Sequence, residues 1–107
     1  MAIDLYRYGT QTPIYFKATL TGVGVPGLTF ANDDIKLYQD GVFVANIGTA
    51  CNNEVAGGIY YWSPAAGSNT QCEVMAINII DVAGAEFDEN CLIIATGGDA
   101  SARFDAT

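Results

Sequence analysis

Two runs of β-branched and aromatic residues, Ile35–Gln39 (IKLYQ) and Val42–Asn46 (VFVAN), flank the dipeptide Asp40-Gly41. A two-residue hairpin turn of type I′ needs positive φ at both central positions, and Asp-Gly supplies it at little steric cost. The spacing predicts a tight antiparallel hairpin over 35–46.

The rest of the chain reads as more of the same. Ala, Leu, Glu and Lys never assemble with apolar spacing of three and four, whereas β-branched and aromatic residues cluster in short runs between glycines. Further strands are expected at Ile14–Leu20 (IYFKATL), Ile59–Ser63 (IYYWS), Gln71–Ile80 (QCEVMAINII) and Cys91–Thr96 (CLIIAT). In the aromatic strand Tyr60 and Trp62 share one face and Tyr61 takes the other, with Trp62 at the centre of the core. The longest strand puts Cys72, Val74, Ala76 and Ile80 on one face and Met75, Ile77 and Ile79 on the other, so it is expected to be central and covered on both sides. In TGVGVPGLTF, Gly22, Gly24, Pro26 and Gly27 predict a long surface loop.

About six strands between turn signals describe an all-β fold, a single antiparallel β-sandwich of immunoglobulin-like or jelly-roll-like type. Pro13 limits pairing at its own position, so residues 1–13 are expected as an extended N-terminal arm. Residues 14–97 then form the sandwich domain, and 98–107 a polar C-terminal tail.

At 107 residues the chain is one domain, and with 50% hydrophobic against 15% charged residues it is short of charge for an independent globule. Arg7, Lys17, Lys36 and Arg103 stand against twelve carboxylates, for a net charge of −8. Such a field repels nucleic acid and anionic lipid, so neither is expected as a partner. Met1 to Tyr8 has no basic start or apolar run of the kind that opens a leader peptide, and no stretch approaches a membrane span, so a cytosolic origin is expected. Cys51, Cys72 and Cys91 are odd in number and have no CxxC or Cys/His spacing. They read as reduced, buried small hydrophobes.

Histidine is missing altogether, which removes the usual general base, the Ser-His and Cys-His arrangements and the commonest transition-metal ligand. Asp33-Asp34 and Asp88-Glu89 could pair for glycoside hydrolysis, but adjacent acids at strand ends more often serve turns. Asn32, Asp33 and Asp34, with Asp40 or Asp88, could offer oxygens to calcium, but local side-chain turns before Ile35 account for them better. No enzyme activity, cofactor or metal is expected. GVGVPG lacks the lysine and helix of a phosphate loop. The aromatic set Tyr6, Tyr8, Tyr15, Phe16, Tyr38, Tyr60, Tyr61 and Trp62 could include a carbohydrate platform, with core packing the stronger claim for Phe16 and Trp62. Tyr6, Arg7 and Tyr8 on the arm, and Val23, Val25, Leu28 and Phe30 on the loop, are the candidate partner interface, although a loop folded back over its own core fits as well.

Three segments carry a resemblance: IKLYQDGVFVAN, EVAGGIYYWSP and VAGAEFDENCLIIAT. In order and spacing they resemble small accessory proteins encoded among the structural genes of tailed phages and prophages, built as immunoglobulin-like or related sandwiches. WSPAAGSNTQ departs from that pattern. The resemblance implies a non-enzymatic virion protein. Its expected role is a capsid decoration or cement protein on the major capsid protein, assembled in the host cytoplasm and homo-oligomeric. A tail, neck or fibre-attachment adaptor is the alternative, and a host-glycan-binding module the second.

Overall fold

The computed structural model describes residues 3–5, 11–64 and 72–96. Its strands are β1 (Ile3–Leu5), β2 (Ile14–Lys17), β3 (Thr19–Leu20), β4 (Val23–Gly24), β5 (Ile35–Gln39), β6 (Val42–Asn46), β7 (Glu54–Ala56), β8 (Ile59–Trp62), β9 (Val74–Ile79) and β10 (Asn90–Ala95). Two short 3-10 turns, Asn32–Asp34 and Thr49–Cys51, complete an all-β fold with no α-helix among the described residues. Five strands form one sheet in the order β1-β10-β9-β5-β6, three form a second in the order β2-β8-β7, and β3 and β4 pair as a small hairpin.

The predicted hairpin forms where the turn chemistry puts it. Gln39 pairs with Val42 across Asp40 (φ 49) and Gly41 (φ 84). β5 then pairs with β9, and β9 with β10, so that Leu92, Ile77, Leu37 and Ala45 make one continuous row across the sheet. That parity faces inward: Ile35, Leu37, Met75, Ile77, Ile79 and Ile94 are all buried. From the other sheet, Ile14 pairs with Trp62 and Phe16 with Tyr60, and these four are buried too. The inner faces therefore close a β-sandwich on one shared core. Each such side chain contributes roughly 1.5–3 kcal/mol when fully removed from water.

Tyr60 and Trp62 share the buried face as expected, but the ring cluster centres on Tyr60. Its ring lies 6.1 Å from that of Phe16 and 5.0 Å from that of Phe30, which in turn meets Phe87 at 5.2 Å. A buried phenol needs partners for its hydroxyl. The Tyr60 hydroxyl donates to the Val25 carbonyl at 2.7 Å and accepts from the Leu28 N–H at 2.9 Å.

Those two bonds explain the largest departure from expectation. The segment 21–30 is no free surface loop: it contains the β3–β4 hairpin, which turns on Thr21 (φ 52) and Gly22 (φ 81), and it then folds back over the core. Phe30 is 1% exposed and belongs to the core, which removes it from the interface. Leu28 packs against the same cluster, Val25 is half-buried, and Val23 alone of the four stands out, at 70% exposure.

Three smaller differences matter below. β9 is central as expected, yet covered on one side only, since Val74 is 42% exposed and Ala76 and Asn78 half-buried. Cys51 and Cys72 are buried, but Cys91 is half-buried. Part of the predicted arm, β1, lies against β10 in the sandwich's own sheet. Tyr6, Arg7, Tyr8 and the tail 98–107 lie outside the described residues.

Candidate docking face

Because side chains alternate along a strand, the parity opposite the buried set defines the outer face of the five-stranded sheet. Register lines up two rows across it. One runs Ile93, Ala76, Tyr38, Phe43, and the other Cys91, Asn78, Lys36, Asn46. Ala95 and Val74 pair beside them. The Tyr38 and Phe43 rings meet edge-on at 5.7 Å, and the Lys36 ammonium lies 5.6 Å from the Phe43 centroid while donating to Asn46 Oδ1 at 2.8 Å. Phe43 remains 49% exposed, and its neighbours Val42 and Val44 are 66% and 41% exposed.

Four of the five strands behind this face are free of negative charge. β5, β6, β9 and β10 contain no carboxylate, and Lys36 is their one charged residue. In a chain of net charge −8 the acids have been placed elsewhere. Apart from Asp4 in β1, those among the described residues sit in turns, connections and strand starts, where several fasten backbone. Asp34 accepts from the N–H groups of Ala31 (2.8 Å) and Val82 (2.9 Å). Asp40 accepts from Glu73 and Val74, and Glu54 from Gly27 and Gly58. Asp81 accepts from Gly84, Glu86 and Phe87. Asp88 accepts from Thr21 (3.0 Å), Gly22 (3.1 Å) and the Thr19 hydroxyl (2.9 Å).

These bonds also set proton affinities. Burial pushes the Asp81 carboxyl up, but the N–H donors of Glu86, Phe87 and Gly84 outweigh it and hold the group below its ordinary value. The N–H groups of Thr21 and Gly22, then the Thr19 hydroxyl, do the same for Asp88. Of the residues considered for hydrolysis or calcium, four are engaged as fasteners: Asp34, Asp40 and Asp88 as above, and Asn32 through Oδ1, which accepts from the Thr49 hydroxyl at 2.9 Å. Among the described residues no three His, Cys, Asp or Glu side chains converge on a metal-sized site. Burial raises the Cys51 thiol to about 12 and, with help from Asp40, Cys72 to about 11, so both stay protonated and unreactive.

Of the aromatic set, Phe16, Tyr60 and Trp62 are core residues, while Tyr15 is 57% exposed. Tyr15 pairs with the half-buried Tyr61 on the outer face of the three-stranded sheet, their rings 5.5 Å apart and tilted by 48°. The outer face of the larger sheet is built by pairing four separate strands and is marked by no single local motif. The absence of Asp and Glu from four strands was the available signal.

No family model, no curated protein and no solved structure matches this chain.

Proposed function

We propose that this protein is a non-catalytic structural subunit that docks on other protein subunits through the outer face of its five-stranded sheet, as a capsid decoration or cement protein seated on the major capsid protein of a tailed phage. The observation that carries the docking reading is the open, largely apolar outer face of β5, β6, β9 and β10, strands that bear Lys36 as their one charge. Dehydrating a carboxylate without a partner is costly, so a face cleared of carboxylates can be covered cheaply, and a contiguous exposed apolar patch marks a place where something covers it.

The phage assignment rests on the resemblance, and two of its three segments build this sheet: IKLYQDGVFVAN supplies β5, its turn and β6, while VAGAEFDENCLIIAT leads into β10. Docking of this kind acts by mass action. Burying about 800 Å² per partner, repeated over symmetric copies, stabilises the assembled state without chemistry.

The copy number of the protein per purified particle, measured by quantitative mass spectrometry against the major capsid protein, tests the reading. Hundreds of copies are expected. Six, twelve or a small multiple would move it to a neck, tail or fibre-attachment adaptor, and absence from the particle would overturn it.

A further inference from the structure

We infer that the outer edge of β6 pairs antiparallel with the same edge of a second copy, joining two five-stranded sheets across a two-fold axis. The inference extends the docking reading above, but it rests on the edge of the sheet and not on its face.

An outermost strand presents backbone N–H and C=O groups that its own sheet does not use, and charge, proline or shortness ordinarily keeps other strands away from them. The edges of this molecule differ in that protection. β1 is three residues long and includes Asp4. β2 follows Pro13 and ends on Lys17, while β7 is three residues long and opens on Glu54. β3 and β4 have two residues each. β6 has five residues, VFVAN, with no proline and no charge, and Val42, Phe43 and Val44 are exposed in succession. Its backbone is also aimed outward. The Ile47 N–H donates to the Ile35 carbonyl at 2.8 Å, so alternation along the strand turns the N–H and C=O of Asn46 away from β5.

One guard is present. Phe43 pairs with Tyr38 and Ala45 with Leu37, which leaves Val44 as an extra residue in a bulge. The bulge limits how many residues can pair, and one pair of short strands falls below the roughly 1,200 Å² of total buried area at which stable interfaces begin. The dimer is therefore weak, and concentration decides it.

Charge selects a second copy as the occupant. Each chain carries −8, so two copies approach most easily where carboxylates are missing, and β5 and β6 have none. An uncharged apolar strand is also complementary to itself under a two-fold. That axis stands perpendicular to the sheet, so the outer faces of both copies lie on the same side and continue one another as a single docking surface.

Sedimentation equilibrium and amide hydrogen exchange on the full chain, from about 10 μM to about 1 mM, test this across the range of weak association. A monomer–dimer equilibrium is expected, with the Asn46 amide gaining protection as the dimer forms. Val44→Lys puts a charge on the edge and should raise the dissociation constant at least about tenfold. Val23→Lys makes the same change in net charge on an exposed valine outside this sheet and should leave the dimer intact. A monomer throughout would overturn the inference, and so would a dimer that leaves Asn46 unprotected or that both lysines weaken equally. Protection of Asn46 on the particle with a monomer in solution would give the edge to a strand of another protein and overturn it too. The wild-type exchange result stands whether or not the Val44→Lys variant folds, and the solution results do not depend on the particle count.

Discussion

Two hairpins in this molecule turn on nearly the same backbone. Asp40-Gly41 has φ values of 49 and 84, and Thr21-Gly22 has 52 and 81. The sequences cost very different amounts to place there. Asp and Gly enter the left-handed region readily, whereas a β-branched threonine resists it. The first hairpin accordingly sits at the border of an open sheet face. The second has two residue pairs and is held from outside: Asp88 accepts both turn N–H groups and the Thr19 hydroxyl, the Asp88 N–H returns a bond to the Thr19 carbonyl at 2.6 Å, and Val25 N–H bonds to Ala18. The first turn is tied to the neighbouring β9 through Asp40 alone, whose N–H donates to the Val74 carbonyl and whose carboxylate accepts from Glu73 and Val74, whereas the turn that its residues disfavour has both of its N–H groups held by a carboxylate from a distant part of the chain.

The largest effect that would break this contrast is expected at Gly58, against which the second hairpin packs. Its φ is +90, and an added Cβ would lie 2.6 Å from the Val25 nitrogen, 2.9 Å from Gly24 Cα and 3.0 Å from the Ala18 oxygen, all backbone atoms. Gly58→Ala should cost roughly 3–5 kcal/mol, as strain and overpacking add. At Gly41, where φ is +84 but nothing lies within 4 Å, the same change should cost only about 1 kcal/mol. Urea midpoints of the two variants check the difference, and equal shifts would mean that the second hairpin is no more tightly seated than the first.

Acid should separate the hairpins next. Asp88 and Asp81 both have folded-state affinities below the ordinary 3.8. A depressed carboxyl contributes stability that is present above its unfolded value and lost as pH falls through the folded one. The β3–β4 hairpin and the 81–88 connection should therefore loosen first as pH drops below about 3.8. Hydrogen exchange should show Thr21, Gly22 and Val25 losing protection ahead of the β5–β6 amides. Asp88→Asn should bring that loss on at neutral pH, and uniform protection across both hairpins would remove the clamp from the account.

A smaller, opposite effect is expected from Thr21→Asn. Asparagine tolerates positive φ far better than threonine, so the variant should gain about 0.5–1 kcal/mol, read as a higher midpoint in the same titration. A loss instead would place the strain of the second turn elsewhere.

The same contrast explains what could be read from the residues. Asp40-Gly41 announces its hairpin because the whole requirement lies in two adjacent residues. The Tyr60/Trp62 face and the buried parity of Met75, Ile77 and Ile79 are equally local, since alternation along one strand decides them. Thr21-Gly22 was hidden because its clamp, Asp88, lies 67 residues away from Thr21. Phe30 was misplaced for a related reason. Its side chain enters the core because Tyr60, 32 residues beyond Leu28, holds the preceding backbone down through its hydroxyl, and because Asn52 bonds both the N–H and the carbonyl of Phe30. The open side of β9 was unreadable from one strand: apolar residues on both faces suggest two covers, and only the pairing of four strands shows that one side ends in solvent.

The smallest effect on stability should carry the largest on assembly. Val74 and Val23 are both exposed valines, at 42% and 70%, the first on the outer face of the five-stranded sheet and the second at the tip of the clamped hairpin. Converting either to glutamate should change stability by less than about 1 kcal/mol, as surface substitutions usually do. Val74→Glu, however, puts a carboxylate among β5, β6, β9 and β10, which have none, so a partner covering that face would have to bury a charge with Lys36 as the only cation on those strands. Incorporation into particles should fall at least tenfold for Val74→Glu, the cost of about 1.4 kcal/mol at the interface, and stay near wild type for Val23→Glu. The reverse ranking would transfer docking to the second hairpin and restore the 23–28 segment as the contact, with the open sheet face left as surface that nothing needs to cover.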